Sequence, residues 1–80
     1  MFYYVYILKS QTTGKLYKGS CGDLPERIRQ HNSEKVTSTK AGRPWKLVYY
    51  EAFETKTSAR KEELFLKSGK GRERIKWLGL

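Results

Sequence analysis

One cysteine and one histidine, Cys21 and His31, are all that 80 residues contain of either type. A lone thiol makes no internal disulfide, and no zinc cluster can form around it. Acidic residues are scarce: eight Asp and Glu stand against 17 Lys and Arg, a net charge of +9. So one-sided a balance favours a polyanion, and it points to a phosphate-bearing partner. Long apolar runs are missing too. The stretch from Met1 to Leu8 is short, has no basic segment before it and is closed by Lys9. It reads as a strand rather than a signal peptide or membrane span, and the cytoplasm is the expected compartment. No P-loop, dinucleotide-binding glycine pattern, zinc spacing, internal repeat or low-complexity run is present.

Six Tyr, three Phe and two Trp are what a chain this short has for a core, and its length suits one domain over residues 1–80. Residues 3–8 are aromatic and β-branched on both alternate sets, which predicts a strand covered on both faces and central in its sheet. Thr12-Thr13-Gly14 marks a turn, and Leu16 to Ser20 completes a hairpin. Asp23, Pro25 and Glu26 have the spacing of a capped helix start, running to about His31. Asn32 through Pro44, with Lys35, Lys40, Gly42 and Arg43, is expected to be a mobile basic loop. Trp45 to Phe53 is a third strand. Thr57 or Ser58 is expected to cap a second helix through Leu66; Gly69 and Gly71 should break it before a short basic helix from Arg72 to Leu78. The expected fold is α/β of the α+β type, a small three-stranded, mainly antiparallel sheet flanked by helices in the order β-β-α-β-α-α.

Within that frame, Tyr4 and Tyr6 share one strand face, and Tyr17 lies across the hairpin from it. Arg27 and His31 are four apart, hence on one helix face beside the apolar Leu24 and Ile28. Packing alone accounts for tyrosines in a small sheet, and the helix dipole alone accounts for a C-terminal His. Asp23 and Glu26 are used in capping, whereas Glu62 and Glu63 fall within the second helix. Periodicity does not choose between them. Together these residue types supply what phosphodiester hydrolysis requires: a base, a charge clamp on the phosphoryl oxygens and a carboxylate for a divalent ion. With no clustered carboxylate pair, a single hard cation is the natural version.

The ordered set resembles the GIY-YIG nuclease superfamily, in particular its small stand-alone bacterial members. Tyr4-Val5-Tyr6 and Tyr17-Lys18-Gly19 are similar to the two tripeptides. Ser20, Asp23-Leu24-Pro25-Glu26-Arg27 and His31-Asn32 are similar to the helix that follows, and residues 44–51 to the third strand. Ala59, Glu63, Leu66, Lys67 and residues 68–72 are similar to the glutamate helix and its basic tail. Two residues depart from the pattern. Tyr4 stands where the superfamily name has Gly, and Lys18 where it has Ile. Glu62 replaces a residue that is often basic in similar chains.

The resemblance implies a metal-dependent endonuclease acting on nucleic acid, DNA more than RNA, with a role in repair or recombination. It implies Tyr6 and Tyr17 for orienting or deprotonating water, Arg27 for the phosphate clamp, His31 for proton handling and Glu63 as ligand of a single Mg²⁺ or Mn²⁺. Asn32 belongs to the pattern as a substrate contact. Lys40, Arg43, Lys70 and Arg72 are the cations expected along the backbone. A basic binding module with little or no activity is the alternative.

Overall fold

Strand β1 (Tyr3–Ser10) carries four consecutive buried residues, Val5 to Leu8, and this run is possible because it is the middle strand of three. In the computed structural model, which describes residues 1–33 and 36–80, β1 pairs antiparallel with β2 (Leu16–Cys21) on one side and β3 (Trp45–Phe53) on the other. Alternation then sends Val5 and Ile7 to one face and Tyr6 and Leu8 to the other. The first face packs Ala59, Leu66 and Ile75; the second packs Leu24 and Trp45.

Helix α1 (Leu24–His31) covers the Tyr6 face, and Asp23 caps it by accepting the Glu26 N–H at 3.1 Å. Helices α2 (Lys56–Leu66) and α3 (Gly69–Trp77) cover the Val5 face. The expected architecture is therefore the one found, with three local corrections. Thr55, not Thr57 or Ser58, caps α2, its hydroxyl accepting the Ser58 N–H at 3.1 Å. The third helix begins at Gly69 with Ser68 as its cap, so the glycines do not separate it from its start. Gly71 lies inside that helix because a Cβ there would stand 2.0 Å from the Phe65 carbonyl oxygen. Finally, Thr37–Gly42 is not open loop but a 3₁₀ helix. Trp45 Nε1 donates to the Thr39 carbonyl at 2.7 Å, and Ser10 Oγ donates to the Gly42 carbonyl at 2.6 Å. Lys35 lies outside the described residues. Among the described residues, no helix is long and apolar enough to cross a membrane.

Candidate active site

Four of the five residues expected at the catalytic centre converge on the Tyr6 face. The Tyr6 hydroxyl lies 2.8 Å from His31 Nε2, a bond that joins the middle strand to the last turn of α1. Tyr17, from the paired strand, packs its ring on the His31 ring at 4.6 Å between centroids and on the Tyr6 ring at 6.4 Å. One turn before His31, the Arg27 guanidinium sits beside the Tyr6 hydroxyl. Its Nη1 donates to Gln30 Oε1 at 3.3 Å, while its Nε is buried and meets no acceptor among the described residues. Such an orphaned cationic donor suits an oxyanion.

Burial sets the protonation of this group. It pushes the Tyr6 hydroxyl up to about 12, against the opposing influence of Arg27. Burial, then the Arg27 charge, pushes the His31 imidazole below its ordinary value. Tyr6 thus keeps its proton at neutral pH, and His31 is neutral.

Glu63 stands on the other face of the sheet. It is buried on α2, and Ser20 Oγ on the edge strand β2 donates to its Oε1 at 2.6 Å. Arg60 donates to the same oxygen at 3.0 Å, and Lys67 to Oε2 at 2.8 Å. Burial alone would raise this carboxyl, but the bonds from Lys67, Ser20 and Arg60 outweigh it and hold it below the ordinary range. Glu62 turns elsewhere, accepting a hydrogen bond from Arg74 of α3 at 3.3 Å. Of the two glutamates, Glu63 is the one that lies beside the buried stripe of α2.

A cleft of about 340 Å³ bridges the two halves at the end of β2, lined by Tyr3, Ser20, Cys21, Gly22, Arg27, Lys56 and Ala59. A neighbouring one of about 520 Å³ shares Ser20 and Lys56 and adds Thr57, Arg60, Lys61 and Leu64. Both lie along the start of α2, whose first turn holds no acidic residue. Sequence reasoning did not single out Lys56, Arg60 or Lys61. Their i, i+4, i+5 spacing on a helix was the available signal.

The expected backbone-tracking cations are more dispersed. Lys40 and Arg43 line a separate cleft of about 640 Å³ with Asn32. Arg43 Nε donates to the Lys40 carbonyl at 2.9 Å. Lys70 and Arg72 are exposed on α3, Arg72 close enough to Lys18 to help lower that ammonium, after burial. Asn32 spends its carboxamide on the protein itself: Nδ2 donates to the Trp45 carbonyl at 3.0 Å, and Oδ1 accepts the Trp45 N–H at 2.6 Å. It clips the end of α1 to the start of β3 and so holds His31 in place.

Would these residues accept a divalent cation? Among the described residues no three His, Cys, Asp or Glu side chains gather, so Glu63 would be the one protein carboxylate at such an ion. Its two cationic partners face solvent: Arg60 and Lys67 side chains are 61% and 49% exposed, against 7% for Glu63. A buried, ionised carboxylate that two solvent-facing cations can vacate fits a hard cation completing its shell with water and phosphate oxygen.

Comparison with known proteins bears on this constellation. Residues 2–76 match the model of the GIY-YIG catalytic domain. The chain is 49% identical over 71 residues to the structure-specific endonuclease subunit slx1 of Schizosaccharomyces pombe, covering 78% of this chain and 26% of that protein. It thus spans about a quarter of that relative's length. It is 39% identical over 75 residues to a UPF0213 protein of Staphylococcus saprophyticus, covering 92% of this chain and 90% of that one. The solution NMR structure of a UPF0213 protein from Bacillus halodurans superposes with a TM-score of 0.58 at 36% identity, covering 98% of this chain and 85% of that one.

Proposed function

The chain belongs to the GIY-YIG family, and from that premise we propose that it is a single-domain, cytoplasmic endonuclease hydrolysing nucleic-acid phosphodiester bonds with a single Mg²⁺ or Mn²⁺ ion. One observation carries the reading. The Tyr6 hydroxyl is held between the His31 imidazole and the Arg27 guanidinium, and Arg27 keeps a buried donor unused at the mouth of a cleft.

The residues divide the work as follows. Arg27 grips a phosphoryl oxygen through its planar donors and stabilises the charge that develops there. Lys56 and Lys61 hold the neighbouring phosphates, beside a helix N-terminus that favours anions. Tyr17, the partly exposed tyrosine packed on His31, meets the attacking water and orients it. As the water attacks phosphorus and the P–O bond to the leaving oxygen breaks, the water's proton passes to the Tyr6 oxygen while the Tyr6 proton passes to His31 Nε2, which is neutral and able to receive it. The leaving oxygen takes a proton from solvent. Glu63 would hold the divalent ion, which when bound supplies positive charge to the phosphoryl group and leaving oxygen. Ser20 keeps that carboxylate aimed at the β2 edge.

The net charge of +9 and the pair of cationic clefts support a nucleic-acid substrate. DNA is the better candidate, in repair or recombination, by the resemblance to the superfamily, and a relative named as a structure-specific endonuclease subunit supports cleavage. A second reading, a binding module with little activity, is favoured by two features. Tyr6 is fully buried, and both Glu63 oxygens already have cationic partners. The discriminating experiment incubates the protein with labelled duplex, branched, nicked and single-stranded DNA and with RNA, in Mg²⁺, Mn²⁺ or EDTA. Cleavage that needs the divalent ion supports the nuclease. Tight binding with no cleavage anywhere in the panel supports the module.

A further inference from the structure

Three buried side chains form one continuous line of hydrogen bonds: Tyr6, His31 and Thr39, which are 0%, 0% and 1% exposed. Tyr6 engages His31 Nε2 at 2.8 Å, and Thr39 Oγ1 engages Nδ1 at 2.9 Å. A neutral imidazole has one donor nitrogen and one acceptor nitrogen, so its two partners must play opposite roles. The donor hydrogens decide which. The Tyr6 hydroxyl is fully buried and has one hydrogen-bond partner among the described residues, His31 Nε2, so its hydrogen needs that nitrogen as acceptor. The Thr39 hydroxyl donates to the Val36 carbonyl at 3.3 Å, which leaves its oxygen free to accept from Nδ1–H. In the opposite tautomer Nε2 would donate to Tyr6, and the buried Tyr6 hydrogen would lose its acceptor. A buried donor so stranded is costly, about 1–3 kcal/mol.

Thr39 is also held more firmly than a surface threonine would be. Its carbonyl accepts from Trp45 Nε1 at 2.7 Å. Three residues on, Gly42 lies flat against the same indole, where a Cβ would stand 2.4 Å from Trp45 Cζ2. The hydroxyl thus has a fixed address relative to the strands that carry Tyr6 and Tyr17.

We propose that Thr39 is a positioning residue of this site. Its hydroxyl accepts the Nδ1–H of His31 and thereby locks the tautomer whose Nε2 lone pair faces Tyr6. The catalytic part of this inference rests on the nuclease reading; the tautomer part does not. The logic is that of any imidazole whose far nitrogen is tied down so that the near one presents the required face. The titratable or charged groups facing the ring are Tyr6 of β1, Tyr17 of β2 and Arg27 of α1. The Thr39 hydroxyl is therefore the partner that sets the state of Nδ1.

Long-range ¹H–¹⁵N spectra of the ¹⁵N-labelled protein at pH 7.5 test the assignment without substrate, since His31 is the only imidazole in the chain. Nδ1 should resonate as a protonated nitrogen and Nε2 as an unprotonated one. Thr39→Val keeps shape and removes the acceptor; it should shift His31 toward the other tautomer or a mixture. On a substrate the wild type cuts, it should lower kcat by about 10- to 100-fold, the scale seen when outer partners of functional imidazoles are lost, with KM little changed. Thr39→Ser should restore both the spectrum and the rate. A wild-type spectrum with Nε2 protonated overturns the proposal, and so does an unchanged tautomer in Thr39→Val. An unchanged kcat in a folded Thr39→Val overturns its catalytic part. Should Thr39→Val fail to give a dispersed spectrum, Thr39→Ala takes its place under the same criteria. If the wild type cuts nothing, the nuclease reading falls, while the wild-type spectrum still decides the tautomer.

Discussion

The Tyr6 hydroxyl occupies the space that a side chain on Gly19 would need: a Cβ there would stand 2.6 Å from the Tyr6 oxygen and 2.8 Å from Cζ. The two residues face each other across β1 and β2, so the glycine is the floor on which the tyrosine ring lies. Tyr6 cannot move aside cheaply, because it is fully buried and bonded to His31. Gly19→Ala should therefore cost about 1–3 kcal/mol, the range for overpacking a dense interior. It should also slow cleavage by disturbing the Tyr6–His31 bond. Urea unfolding and a single-turnover rate check both; an unchanged midpoint with an unchanged rate would show that the close approach is not rigid.

That contact shows where legibility in the sequence ends. Strand alternation brought Tyr6 and Tyr17 together and the helical i, i+4 spacing brought Arg27 and His31 together, because these are local rules; that the two pairs meet was implied only by the resemblance. The register that seats Gly19 under Tyr6 is set by the pairing of two strands. Glu63 over Glu62 is set by how α2 rolls on the Val5 face. Thr39 was invisible for a different reason. Its segment has no periodic apolar pattern and reads as a polar loop, yet Trp45 and Ser10 organise it from outside. Asn32 was legible as a position but not as a backbone clip, since its partner is thirteen residues on.

The lowered His31 pKa gives a stability prediction with a definite sign. Because the folded imidazole binds its proton less readily than the unfolded one, its contribution is full above about pH 6.5 and declines as pH falls toward the folded value. Glu63, also depressed, would begin to lose its contribution only at lower pH, below about 4.5. Urea midpoints at pH 7.5 and pH 5.5 should fall for the wild type, and His31→Gln should show less of that fall. Equal pH dependence in the two proteins would mean that His31 is not buried as a neutral base.

Binding should weaken steeply with salt, with a log–log slope of about −0.9 per phosphate contact on duplex DNA. Lys56→Ala and Lys61→Ala, at the clefts next to Arg27, should each make the slope shallower by about one contact. Lys40, Arg43, Lys70 and Arg72 line neither of these clefts, and each should matter less when replaced singly. A flat titration would count against a polyanion partner altogether. A loss confined to Lys40 and Arg43 would move the track to the 3₁₀ side.

Glu63→Ala should abolish divalent-dependent cleavage while most nucleic-acid affinity remains. The variant leaves Ser20, Arg60 and Lys67 without their shared acceptor, but two of these side chains face solvent, so the fold should survive. Glu62→Ala removes a partner of Arg74 and should do far less. Calorimetry with Mn²⁺ supplies a readout independent of turnover. Heat of binding that persists in Glu63→Ala and disappears in Glu62→Ala would reverse the assignment of the metal ligand.

Arg27 and the two tyrosines separate an enzyme from a binding module most sharply. Arg27→Lys keeps the charge but loses the planar set of donors, including the Nε that meets no acceptor among the described residues. Single-turnover cleavage should fall by about 10²-fold or more, as for other lost transition-state donors, while affinity changes little. The tyrosines should differ from each other. Tyr6→Phe strands the buried His31 Nε2, so it should cost stability as well as rate, about 1–3 kcal/mol for an unsatisfied buried acceptor. Tyr17 is partly exposed and stacks on His31 through its ring, which phenylalanine retains. Tyr17→Phe should accordingly slow cleavage with the unfolding midpoint nearly unchanged. Rates close to wild type in Arg27→Lys and both Phe variants, measured on a substrate the wild type cuts, would reduce the constellation to packing and surface charge. A slow Tyr6→Phe beside a fully active Tyr17→Phe would instead make Tyr6 the tyrosine that meets the water.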